Sequence, residues 1–99
     1  MKGGLGFREA RRRLIRALET GAYQHEARAA IDTKNLLHTG QISAFDVIEI
    51  VRRCRGQNHV SSPHHLVPEV EVHVLRRDGW YVKFYFLGDP DAVFISVHR

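Results

Sequence analysis

His59, His73, Tyr81, Lys83 and His98 are the residues of this chain best suited to move a proton or grip a phosphate. Metal-independent cleavage of RNA needs little more than such a set. One group takes the proton of the 2′-hydroxyl, another protonates the leaving 5′-oxygen, and cations stabilise the charge that gathers on the phosphate. Histidine titrates closest to neutral pH, which suits it to either proton transfer. These residues can act together only if the chain brings them to one surface.

Four of the five lie in a C-terminal stretch that alternates apolar with polar residues, the period of a half-buried strand. Val70–Leu75, Trp80–Leu87 and Val93–His98 are expected to form an antiparallel meander, joined by an Asp78-Gly79 hairpin turn and by Gly88-Asp89-Pro90-Asp91. Residues two apart on a strand share a face. Tyr81, Lys83 and Tyr85 therefore oppose Trp80, Val82, Phe84 and Phe86. Glu71 and His73 oppose Val70, Val72 and Val74. Phe94, Ser96 and His98 oppose Val93, Ile95 and Val97. Sending the Val, Phe and Ile sets to the core leaves Glu71, His73, Tyr81, Lys83, Tyr85, Ser96 and His98 on one wet face. A merely solvated sheet face has the same pattern.

Other chemistries find less support. His59, His64, His65 and His73 are close in sequence, but no HExxH or cysteine pair accompanies them, so no metal site is expected and His64 and His65 read as loop residues. Cys54 lies on the apolar side of a helical pattern and reads as core. No serine sits in a Gly-x-Ser-x-Gly elbow. Gly3-Gly4-Leu5-Gly6 lacks the preceding strand of a nucleotide-binding loop. No cofactor is implied.

Helices must carry the sheet. Phe7, Ala10, Leu14, Ala17 and Leu18 recur at spacings of three and four, predicting a helix over Phe7–Thr20 that ends at Gly21. Arg8, Arg11, Arg12 and Arg16 crowd the rest of it, as a solvated face or as phosphate contacts for a DNA-binding regulator. Tyr23-Gln24-His25 reads as a short strand or as the approach to a helix over Glu26–Leu37. Ser43 and Asp46 form a capping-box pattern. The helix that follows runs to about Arg55, with Phe45, Ile48 and Val51 as its stripe and Arg52, Arg53 and Arg55 at its end. Gln57–Pro68 reads as a polar loop, and residues 1–6 as a frayed start. Helices followed by an antiparallel sheet make an α+β plan, with N-terminal helices on a C-terminal sheet of three to four strands. The 99 residues suit a single domain, and a net charge of +4 favours an acidic partner. One cysteine and no long apolar run point to a cytoplasmic chain with no membrane partner.

Gly79-Trp80-Tyr81-Val82-Lys83 and Val93-Phe94-Ile95-Ser96-Val97-His98 resemble the last strands of the RelE superfamily of bacterial type II toxins, nearest to its MqsR-like branch. The chain is also similar to a related domain family of unknown function that begins with a His-x-x-x-Arg segment, for which His25-Glu26-Ala27-Arg28 could stand. Tyr81 and Lys83 match the MqsR-like Tyr-x-Lys element and Ser96 its serine. His98 stands where that branch has lysine. The Lys-Ser-Met loop motif is absent, with Asn58, His59 and Ser61 in its region, and the Trp-Gln-Asp-Val-Tyr element is reduced to Glu71-Val72-His73-Val74.

The resemblance implies a RelE-like fold and an mRNA endonuclease, working on the ribosome or free of it and silenced by a cognate antitoxin protein. Under it, His98 is general acid or base and His73 or His59 the complementary group. Lys83, with Arg52 or Arg53, binds the scissile phosphate. Tyr81 stacks a base or orients a phosphate, while Arg55, Tyr85 and Ser96 contact RNA. The departures from the family pattern leave the alternative of a non-catalytic RelE-like module that binds a protein or nucleic acid.

Overall fold

The computed structural model describes residues 4–26 and 34–99. Helix α1 spans Phe7–Thr20, strand β1 Tyr23–His25, the single turn α2 Leu36–Thr39, and helix α3 Ala44–Arg53. A 3-10 turn at Gly56–Asn58 leads into β2 (His59–Pro63), followed by β3 (Glu71–Arg77), β4 (Trp80–Phe86) and β5 (Ala92–His98). The helix expected over Glu26–Leu37 falls largely outside the described residues, as do Ala27 and Arg28 of the His/Arg segment.

Local chemistry sets the helix ends as anticipated. Gly21 closes α1 in the left-handed region, at a φ of 77° that only glycine adopts without strain. Ser43 and Asp46 cap α3 reciprocally, each side chain accepting from the other's backbone N–H. Ala10, Leu14, Ala17 and Leu18 of α1 and Val47, Ile48, Ile50 and Val51 of α3 are buried. Phe45 is not part of that stripe, being 67% exposed. Cys54 is buried, as read, and its thiol pKa is raised by that burial.

The sheet has five strands in the order β1-β5-β4-β3-β2 and is mixed, because β1 runs parallel to β5. The α+β plan stands, but the three- to four-stranded antiparallel sheet is corrected. The first half of the expected polar loop is strand β2, pairing His59–Pro63 with Glu71–Leu75. Its Val-Ser-Ser centre has little apolar alternation to betray it, since four of its five residues are exposed. Nor is the start of the chain wholly frayed. The Leu5 N–H donates to Glu71 (2.9 Å), and Gly4 lies so close to that carboxylate that a Cβ would overlap it.

Both helices pack on one side of the sheet. Leu14, Ala17, Leu18, Val47 and Val51 join Leu75, Val82, Phe84, Phe94 and Val97 in a single core. Among the described residues the other side carries no helix of comparable length, yet β5 is buried from Ala92 to Val97 on both faces.

Candidate functional site

Register decides which side chains meet. The two-residue turn Asp78-Gly79 has both φ values positive, 53° and 82°, the geometry that suits the twist of a tight hairpin. It pairs Arg77 with Trp80, and so Leu75 with Val82 and His73 with Phe84. With Val82 and Phe84 in the core, Leu75 and His73 must follow them. His73 is 1% exposed, its ring against Phe84 and Phe86. The expectation that His73 shares a wet face with Tyr81, Lys83 and His98 is therefore wrong. Val72 and Val74, expected in the helix-side core, lie on the opposite face, although Val72 is buried there.

A second correction concerns β5. Lys83 pairs with Ser96, while Phe84 pairs with Phe94, so Ile95 is an extra residue in a bulge. Phe94 therefore turns to the helix side, while Ser96 and His98 emerge on the face of Lys83 and Tyr81. Strict alternation had grouped Phe94 with Ser96 and His98.

The face away from the helices gathers Tyr81, Lys83, Ser96 and His98. Tyr81 and His98 are cross-strand partners with rings stacked at 5.0 Å and 24°. The Arg76 guanidinium lies 5.2 Å over the Tyr81 ring. Sequence reasoning missed Arg76, although the same hairpin count that pairs 77 with 80 pairs 76 with 81. Lys83 is half-buried and makes no ion pair among the described residues. His98 Nδ1 lies 3.1 Å from the Arg99 carbonyl oxygen, which can only accept. In the neutral ring Nδ1 therefore holds the proton, leaving Nε2 as the free base. A hollow of about 400 Å³, lined by Asn58, Arg76, Arg77, Asp78, Gly79, Trp80 and Tyr81, opens beside this group.

Tyr85 shares the face, but its hydroxyl is committed. It donates to Glu26 Oε2 (3.0 Å), which also accepts from His64 Nε2 (3.3 Å). Burial first, and the Glu26 bond second, raise the Tyr85 pKa. His64 is only 7% exposed, and its Nδ1 accepts from the N–H groups of Leu66 and Val67. It organises the β2–β3 loop and is not the surface residue expected; His65 is exposed as expected. Both nitrogens of His64 are occupied, so it has none to offer a substrate.

His59 lies on the helix side with His73. His73 Nε2 lies 3.4 Å from the Glu71 carboxylate, and His73 Nδ1 shares a hydrogen bond with His59 Nε2 (2.9 Å). Burial lowers both pKa values, that of His73 to about 4 against the pull of Glu71. Neither imidazole can reach the Tyr81–His98 pair on the opposite face. At the far edge of the helix side, His25 stacks on His38 at 4.4 Å and meets Asn35 Nδ2 through its Nδ1 (3.0 Å).

The arginines divide as well. Arg52 stands on α3, with Glu19 and Glu49 each 3.5 Å away, and Arg53 pairs with Asp78 at 3.1 Å. Arg55 is exposed after the helix end. Arg52 cannot share a phosphate with Lys83 across the sheet, so that expected partnership is also corrected. Arg76 is the guanidinium on the Lys83 face. Among the described residues no group of three His, Cys, Asp or Glu is placed to hold a metal ion. No helix there is long and apolar enough to cross a membrane.

Comparisons with family models, with curated proteins and with solved structures give no match. The chemistry of the face has to be weighed on its own residues.

Proposed function

We propose that this chain is a metal-independent endoribonuclease of the RelE-like toxin type, acting on mRNA in the cytoplasm and silenced by a cognate antitoxin protein. The observation that carries the reading is the stacked Tyr81–His98 pair with Lys83 on the same face and, among the described residues, no carboxylate paired to that lysine. His98 Nε2 takes the 2′-hydroxyl proton, and the oxygen attacks the adjacent phosphorus. Lys83 and Arg76 hold the non-bridging oxygens as charge builds on them. The leaving 5′-oxygen receives a proton from the Lys83 ammonium or the Tyr81 hydroxyl, the donors on that face. A cyclic phosphate and a free 5′-hydroxyl result. The hollow beside Tyr81 has room for a base, and an aromatic wall there suits stacking.

The test is cleavage of single-stranded RNA by the purified chain in EDTA. His98→Ala should lower the rate by about 10²- to 10⁴-fold, the range of a lost acid–base group. Lys83→Ala should lower it comparably. Undiminished cleavage in both variants removes these assignments. Induction of the wild-type chain alone should arrest growth, and induction of His98→Ala should not.

One observation favours a second reading, a RelE-like module that binds without turnover. With His73 and His59 on the helix side, the proposed site has a single imidazole. RNA binding with no cleavage by the wild type would select this reading.

A further inference from the structure

The helix layer carries a groove of about 680 Å³ that the chemistry above leaves unused. Arg8, Arg11, Arg12 and Arg16 of α1 form one wall and Arg52 of α3 closes the other, with Ile15 between them and Glu19 the only acid of the lining among the described residues. Arg8, Arg12 and Arg16 are four residues apart, so each step along the ridge rises about 6 Å. That is close to the step between successive phosphates of an extended strand.

Internal pairing uses only part of this charge. Arg12 is held by Glu9, whose carboxyl its two arginine partners, Arg12 and Arg13, pull down to about 2. Arg52 leans on Glu19 and Glu49. Arg11 lies over the Phe7 ring and donates to the Cys54 carbonyl, which aims it without neutralising it. Arg8 and Arg16 meet no carboxylate among the described residues. A solvated helix face would explain a convex ridge. Here a cation from a second helix, Arg52, faces that ridge across the groove.

We propose that this groove binds one strand of a phosphodiester backbone, as a docking site separate from the Tyr81–Lys83–His98 face. Naming the strand RNA rests on the function proposed above. An acidic protein surface is disfavoured by the lining, since Ile15 is its one aliphatic side chain among the described residues and protein interfaces need an apolar centre. With helices on one side of the sheet and His98 on the other, one RNA would contact both sites only by passing around the molecule.

Titration with a labelled, 2′-O-methylated single-stranded RNA tests the proposal. This probe cannot be cleaved, so its binding is independent of catalysis. The double variant Arg8→Ala/Arg16→Ala should bind at least about tenfold more weakly at moderate salt, and its salt slope should fall by about 1.4 for two lost phosphate contacts. Arg8→Lys/Arg16→Lys should keep most of the slope. Circular dichroism of each variant should match the wild type, since both arginines are exposed. Unchanged affinity and slope in the alanine pair would overturn the site. Polyglutamate outcompeting RNA would overturn the nucleic-acid assignment, and tighter binding of the same sequence as DNA would overturn the choice of RNA.

Discussion

The two faces of the sheet hold similar residues in opposite states. On the helix side, His73 hydrogen-bonds His59 and lies beside Glu71, and this inner imidazole is sealed from water and kept neutral by burial. On the other side, His98 is partly exposed, stacked on Tyr81, and has one nitrogen uncommitted. A histidine among phenylalanines contributes to stability and is poorly placed for turnover. One beside a lysine with no counter-ion among the described residues is placed for chemistry. The difference comes from register rather than from the immediate sequence, because His73 and His98 each follow a valine, yet His73 is paired with Phe84 and His98 with Tyr81.

Four measurements can break or sharpen that contrast. The largest effect should come from His98→Ala, whose loss of rate corresponds to about 3 to 5 kcal/mol of barrier with little change in melting temperature. His73→Ala should do the reverse. It opens a cavity beside Phe84 and leaves Glu71 and His59 without their shared partner, costing about 3 to 4 kcal/mol of stability. The cleavage rate per folded molecule should hold. A large rate loss in soluble, folded His73→Ala would erase the division between the faces.

The third concerns acid. His73 has a folded pKa near 4 against an ordinary 6.5, so the unfolded chain binds more protons between those values. Stability from this group is complete above about pH 6.5 and is lost as the pH falls towards 4, by roughly 3 kcal/mol in all. His59, shifted the same way by burial, adds to the fall. Urea unfolding of His73→Leu across that window should give a flatter profile than the wild type. The smallest effect belongs to Tyr85→Phe, which deletes one bond to Glu26 and should cost about 1 kcal/mol in thermal unfolding without touching cleavage.

Much of this architecture was legible in the residues. The spacing of Ala10, Leu14, Ala17 and Leu18 placed α1, and Ser43 with Asp46 placed the start of α3, because periodicity and capping are local signals. Tyr81, Lys83 and Tyr85 were rightly set against Val82 and Phe84. The position of His73 was legible too, had the Asp78-Gly79 turn been counted through to Phe84 before apolar weight was consulted. The valines flanking His73 outweighed it on one strand alone, but a hairpin admits one register. The Ile95 bulge left no such mark. Val93–Val97 is buried on both faces, and two-sided burial erases the alternation that would reveal an extra residue. Strand β2 was hidden by its polarity, and Glu26–His64–Tyr85 by a separation of 59 residues between its ends.

Ile95 acts as a phase shifter in the last strand. Upstream of it, Ala92 and Phe94 answer to the helices; downstream, Ser96 and His98 answer to β4. The two halves can drift independently, since a length change at the bulge need not disturb Phe94. Deleting Ile95 would leave the imidazole beside Tyr81, whereas forcing the pleat straight with Ile95 retained would swing it towards Trp80 and the helices.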